Sequence, residues 1–145
     1  MKGNCLCGAV EYKINAPLSV DQFIELLRES TLGARRPVDD RECMAGMVNN
    51  SNLMVTAWDG GKLVGVARSM TDFHYACYLS DLAVHEKYQK RGIGKKLQAL
   101  TQQQLGARCK LIVVAAPDAN AYYGHLGFAN NPRCWVLDRE RRIVS

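Results

Sequence analysis

From Val10 to Asn15 the chain alternates Val10, Tyr12 and Ile14 with Glu11, Lys13 and Asn15, a period of two that predicts a half-buried strand. The period then lengthens. Ser19 is followed three residues later by Gln22, the spacing of a capping box. Val20, Phe23, Ile24, Leu26 and Leu27 then fall on one stripe, which predicts a helix from about Val20 to Ser30. Gly33 and Pro37 interrupt that pattern. Asp39 with Glu42 repeats the capping spacing ahead of Cys43, Met44, Met47 and Val48, so a second, short helix is expected.

Leu53 to Trp58 and Lys62 to Met70 are apolar-rich segments joined by Asp59-Gly60-Gly61, whose glycines tolerate positive φ, and together they predict a hairpin. Tyr75 to Val84 reads as a further strand and runs directly into the polar, glycine-containing segment from Glu86 to Gly94. Ile93, Leu97, Leu100 and Leu105 recur at near-helical spacing up to Gly106. Strand, glycine loop and helix therefore form the central unit. Leu111 to Ala116, rich in β-branched residues, predicts a buried strand. Pro117-Asp118 opens another helix, with Asp118 as its cap, and Gly127 closes it. Trp135 to Leu137 predicts a last strand after the Asn130-Asn131-Pro132 turn, and the charged tail from Asp138 to Ser145 is either its extension or a frayed end. No repeat, linker or shift in composition divides the chain, so one domain over residues 1–145 is expected.

Composition narrows the class. With 48% hydrophobic and 23% charged residues, 12 Gly and 4 Pro, the chain is neither collagen-like nor of low complexity, and it has enough apolar surface to fold. Nineteen Lys and Arg against fourteen Asp and Glu give a net charge of +5, which favours an anionic partner without naming it. No apolar run approaches the ~18 residues of a membrane span, and Met1 to Asn4 leads into Cys5 without the apolar stretch of a secretion signal, so a cytoplasmic protein is expected. The six cysteines are scattered through predicted core elements, which suits small buried thiols in a reducing compartment.

Much of the basic excess sits in one place. Gln89-Lys90-Arg91-Gly92-Ile93-Gly94 puts two glycines at the mouth of a helix, where successive backbone N–H groups can converge on a phosphate and the helix start adds favourable partial charge. Lys87, Lys90, Arg91, Lys95 and Lys96 surround that loop. A solvated basic turn is the plainer alternative. A Walker loop is excluded by the glycine spacing and by the absence of a hydroxyl residue after Lys95, and a dinucleotide fingerprint by Lys95-Lys96-Leu97 after Gly94.

The stretch from Leu82 to Leu97 resembles the acetyl-CoA-binding motif of the GNAT superfamily of N-acetyltransferases, with its Gln/Arg-x-x-Gly-x-Gly/Ala loop. Ala119 to Phe128, which carries Tyr123-Gly124-His125-Leu126-Gly127-Phe128, resembles the same family's Tyr-x-x-x-Gly-Phe helix. The resemblance spans about Leu53 to Phe128. It implies an α/β fold: a mixed, mostly antiparallel sheet flanked by helices and splayed between two central parallel strands, near Tyr75–Val84 and Leu111–Ala116. The cofactor implied is acetyl-CoA, its pantetheine arm in the splay. Backbone groups of Leu82 and Val84 would pair with the arm, a donor near Leu82 or Ala83 would stabilise the oxyanion, and Gln89, Lys90, Arg91, Gly92, Ile93 and Gly94 would hold the diphosphate, with Lys95 beside it. Asn120 and Tyr123 would face the thioester. Tyr123 occupies the position at which the family uses a phenol as general acid toward the leaving sulfur, and Asp81 one at which relatives carry an acidic residue that takes a proton. The reaction implied is direct acetyl transfer to a primary amine of a small molecule in a ternary complex.

Other readings stay open beside these. Tyr123 can simply pack its helix, as Tyr122 is expected to do against the sheet, and Asp81 can be a strand-end carboxylate bonded to a basic neighbour. His85 and Glu86 read as loop residues, whereas His74 with Asp72 can line an acceptor pocket or shuttle a proton. Arg35, Arg36, Asp39, Asp40, Asp72, His74 and Trp135 are candidates for acceptor specificity, and Trp58 and Met70 for the core. Alternatives of a different class are a non-catalytic acyl-CoA-binding module and a protein lysine or N-terminal acetyltransferase. A homodimer through terminal strands is left open. Nucleic-acid binding is disfavoured, because the basic residues gather at the glycine loop rather than interleaving with aromatics such as Tyr75 and Tyr78. Cys5-Leu6-Cys7-Gly8 resembles the opening motif of the zinc-containing glutathione-dependent formaldehyde-activating family, but no later Cys-x-x-Cys completes a ligand set, and no metal site is assigned.

Overall fold

The computed structural model describes residues 9–144, which fall into two compact units dividing between Val114 and Ala115. Cys5 and Cys7 lie outside the described residues.

The first unit runs β1 (Glu11–Ile14), α1 (Val20–Arg28), a 3-10 turn (Thr31–Arg35), α2 (Arg41–Asn49), β2 (Leu53–Asp59), β3 (Lys62–Thr71), β4 (Ala76–Val84), a second 3-10 turn (Glu86–Tyr88), α3 (Ile93–Gln103) and β5 (Lys110–Val113). The strands form one sheet in the order β1-β2-β3-β4-β5, antiparallel throughout except for the parallel β4–β5 pair. This is the mixed, helix-flanked sheet that the resemblance implies.

Local chemistry explains most boundaries. Ser19 accepts from the Gln22 N–H and Gln22 returns the bond to the Ser19 N–H, so the box opening α1 is closed in both directions. At α2 the cap is Asp40, which accepts from the Cys43 N–H; the expected Asp39 instead pairs on the surface with Arg28 at 2.8 Å. The β2–β3 turn uses positive φ at Gly60 alone. Asp72 shapes the β3–β4 loop by accepting from the backbone N–H groups of His74, Tyr75 and Ala76. Helix α3 ends at Gln103, so Leu105 lies beyond it.

Strand alternation divides the core between the two faces of the sheet. Phe23, Leu26 and Leu27 of α1 and Met44 of α2 pack with Met54, Trp58, Val66 and Ala83 on one face. Ile93 and Leu97 of α3 pack with Val55, Ala57, Val64, Ala67 and Leu79 on the other. Trp58 is a core residue, its indole N–H bonded to Thr56, while Met70 is half-buried. Gly65 sets how close α3 lies: a Cβ there would meet Leu97 at 3.1 Å and Ile93 at 3.2 Å.

The second unit holds a 3-10 turn (Pro117–Ala119) and α4 (Asn120–His125). Asp118 lies inside the turn, and α4 starts without a side-chain cap. Gly127 takes φ +99°, as a helix-closing residue should. Trp135 to Leu137 is not a strand. These residues are extensively exposed and join no ladder among the described residues, and three apolar positions beside charged neighbours have too few backbone bonds to hold a strand without a partner. Of the four cysteines described, Cys77 is buried, Cys109 half-buried, and Cys43 and Cys134 exposed, so burial is not their common state.

Candidate active site

Strand β4 stays paired with β3 as far as Val84, but its pairing with β5 ends at Leu79 opposite Val113. Its last five residues, Ser80 to Val84, therefore face an edge from which β5 has withdrawn. At the same point Arg68 pairs with Asp81 and Ser69 with Leu79, so Ser80 is an extra residue, a bulge in β4.

The His85 N–H donates to the Val64 carbonyl of β3 at 2.9 Å. Because backbone groups alternate sides along a strand, those of Ala83 also face β3, and those of Leu82 and Val84 face the opened edge. The Val84 carbonyl already accepts the Gln89 side-chain amide at 3.2 Å. Leu82 is thus the residue of this stretch best turned to pair with a ligand in the splay. Ala83, expected to share the donor role, is turned toward β3.

Past Val84 the chain is fastened from below. His85 is nearly buried, its Nδ1 accepts the Lys87 N–H at 3.1 Å, and its Nε2 lies 3.2 Å from Glu29. Tyr88 bonds to Asp59 and carries the Arg91 guanidinium 5.0 Å above its ring, while Arg91 also donates to the Lys87 carbonyl. Both His85 and Tyr88 therefore hold the loop to the hairpin and α1 end.

The glycine loop leaves its backbone donors and its charge unengaged. Lys90 and Gly92 both take left-handed backbone, φ 65° and φ 81°, and Gly92 is the N-cap of α3 with no side chain to satisfy the first-turn N–H groups. A Cβ at Gly92 would meet nothing within 4 Å, so the space over the helix start is open. No acidic side chain occupies the first turn, and among the described residues no salt bridge engages Lys87, Lys90, Lys95 or Lys96. Unfilled donors, open space and unpaired positive charge together fit a diphosphate.

Asp81 is placed differently from a proton acceptor at a site mouth. It is fully buried, with one carboxylate oxygen 2.6 Å from Arg36 Nε and the other bonded to Arg68 Nε. Both oxygens are already engaged by guanidinium donors. Sequence reasoning named Arg36 only as a specificity candidate and missed Arg68, because neither spacing nor periodicity links them to Asp81. His74 is exposed and Asp72 is committed to its own loop.

In the second unit the Tyr-x-x-x-Gly-Phe segment folds on itself. The Phe128 N–H donates to the Tyr123 carbonyl at 3.1 Å, and the Phe128 ring meets the Tyr123 ring edge-on at 5.3 Å, with Tyr122 on another side at 5.1 Å. Burial, and secondarily the neighbouring Tyr122, pushes the Tyr123 phenol above its ordinary 10.0. Asn120, the first residue of α4, is exposed.

The acetyltransferase (GNAT) domain family model matches residues 29–136. The chain belongs to the GNAT acetyltransferase family. It is 26% identical over 136 residues to an uncharacterized N-acetyltransferase, ycf52, of Pyropia yezoensis, covering 87% of this chain and 76% of that protein. Among solved structures, a GNAT-family acetyltransferase of Streptococcus pneumoniae superposes with a TM-score of 0.65 at 18% identity, covering 90% of this chain and 99% of that one. An aminoglycoside N-acetyltransferase, AAC(6')-Iy, solved in complex with CoA gives 0.68 at 16% identity, covering 92% and 96%. These structures are alike in fold. Within the GNAT chain no described helix is long and apolar enough to cross a membrane.

Proposed function

We propose that this GNAT chain is an acetyl-CoA-dependent N-acetyltransferase acting on the primary amine of a small molecule. The observation that carries the reading is the coincidence, on one strand–loop–helix unit, of an opened β4 edge at Leu82 with an uncapped, open and basic start of α3 at Gly92. That combination suits a ligand with a peptide-like arm and a diphosphate. The CoA bound to one structural neighbour supports the same ligand class.

When bound, acetyl-CoA supplies an acyl group activated as a thioester. The first-turn N–H groups of α3 would hold the diphosphate, with Lys90, Lys95 and Lys96 adding charge, and the Leu82 backbone would align the arm. The family motif assigns to Tyr123 the proton that a departing thiolate would take. A phenol held above its ordinary 10.0 by burial is fully protonated at neutral pH and ready to donate. Asn120 is assigned to the thioester end from the family motif. We assign Asp81 to holding β4 rather than to taking the amine's proton, since both its oxygens are engaged.

Calorimetry with CoA and acetyl-CoA, followed by a CoA-release assay across amino sugars, polyamines, arylamines and a lysine peptide, tests the proposal. Binding of CoA and release with a small amine are expected. Release with the peptide alone makes the protein a protein acetyltransferase, binding without release makes it a non-catalytic module, and absence of binding removes the reading.

A further inference from the structure

Resting on the acyltransferase reading above, we infer that Arg36 is a positioning residue: it locks β4 in its bulged form at the point where the sheet opens, and acyl delivery depends on that lock. The bulge at Ser80 and the end of β4–β5 pairing at Leu79 fall on adjacent residues, two and three positions before Leu82. A bulged residue lacks its ladder partner, so nothing in the sheet itself fixes the local twist.

Two guanidinium groups supply what the ladder does not. Arg68, the register partner of Asp81 on β3, binds the Asp81 carboxylate and donates to the Ser80 hydroxyl at 3.0 Å. Arg36 comes from outside the sheet, in the segment joining α1 to α2. It precedes Pro37, which favours extended backbone, and it has φ −135° and ψ 152°. Its Nε donates to Asp81 at 2.6 Å and its Nη2 to the Ser80 carbonyl at 2.9 Å.

Charge alone does not call for this second arginine, because Arg68 already matches the single carboxylate. What Arg36 adds is the bond to the Ser80 carbonyl, a backbone acceptor of the bulged residue itself. The planar fork of a guanidinium reaches a carbonyl and a carboxylate at once, and an ammonium does not. The segment between the first two helices is thereby coupled to the strand that presents Leu82. Arg36 keeps 23% of its side chain exposed, so a small guanidinium can reach the gap left by its removal.

The test compares wild type with R36A and R36K. In R36A, amide exchange at Ser80 to Leu82 should accelerate about ten-fold or more while that of α3 stays unchanged. Turnover should fall by about 10- to 100-fold, with the calorimetric Kd for CoA within about two-fold of wild type. Ethylguanidinium should restore part of the R36A turnover, and R36K should stay low. Unchanged exchange at Ser80 to Leu82, or turnover lost only in proportion to Kd or to the folded fraction, would overturn the inference. If R36A does not fold, R36K carries the same three readouts. If wild type binds no CoA, the acyltransferase reading fails, and with it the claim on acyl delivery, while the exchange data still decide the lock.

Discussion

Arg68 and Asp81 stand directly opposite each other on β3 and β4, and their side chains meet as an ion pair with 7% and 0% of their surfaces exposed. Removing one partner strands the other charge away from water. D81A should therefore destabilise the protein by about 3–5 kcal/mol, read from urea unfolding, whereas the double change R68M/D81L should recover only part of that loss, because Arg36 still loses its carboxylate. A cost for D81A below about 1 kcal/mol would mean that water screens the pair.

Gly92 is expected to matter more for ligand than for fold. Its left-handed backbone makes G92A cost about 1–2 kcal/mol of stability. The added side chain meets no neighbouring atom at its Cβ, so G92V adds backbone strain but no clash there and should still fold. The same side chain fills the proposed diphosphate cradle, and the CoA Kd should rise by about ten-fold or more in calorimetry. Wild-type affinity in G92V would move the diphosphate off the start of α3.

Gly65 controls the seat of the same helix from the sheet side. G65V forces carbon against Leu97, Ile93 and Ala57, all within 3.3 Å of even a Cβ, and should cost about 1–3 kcal/mol in thermal or urea unfolding. Because α3 must shift to accept it, CoA affinity should weaken alongside stability.

Y123F keeps the ring that packs on Tyr122 and Phe128 but removes the proton. Turnover is expected to fall by about 100-fold or more, with CoA affinity retained. Burial raises this phenol above 10.0, so the acid stays competent through neutral pH and its alkaline loss lies above pH 10.0 in the wild-type rate profile. Steady-state rates against pH check both statements, and wild-type turnover in Y123F would end the acid role.

Asp72 offers a pH signature in the fold itself. Three backbone N–H groups, from Tyr75, Ala76 and His74, hold its carboxyl below the ordinary 3.8. A folded-state pKa below the unfolded one gives stability that is present above 3.8 and is lost as pH falls through the lower folded value. The Tm difference between wild type and D72A should therefore be largest near neutral pH and shrink under strongly acidic conditions. A constant difference across that range would mean that the carboxylate charge has no part in the loop.

Features set by near neighbours were legible in the sequence. The box of Ser19 and Gln22, the hairpin about Gly60, the stripe of α1 and the glycine entry to α3 each involve residues a few positions apart, so spacing alone encodes them. The reading of Asp39 as the cap was one position off, because two adjacent carboxylates offer the same local chemistry and only the backbone path selects one. Trp135 to Leu137 shows the limit of an apolar pattern: a strand exists only where another strand supplies its hydrogen bonds.

Local periodicity thus determined the succession of helices and strands and the open, uncapped turn before Ile93, since both arise from bonds that the chain makes within one or two helical turns. Tertiary structure decided the partners of Asp81. Its partners Arg36 and Arg68 lie 45 and 13 positions away and converge on it only because β3 pairs with β4 while the segment after α1 folds across the sheet. The direction of the Leu82 and Ala83 backbone groups was likewise fixed by the register with β3 and by where β5 parts from β4, neither of which leaves a trace in the order of side chains.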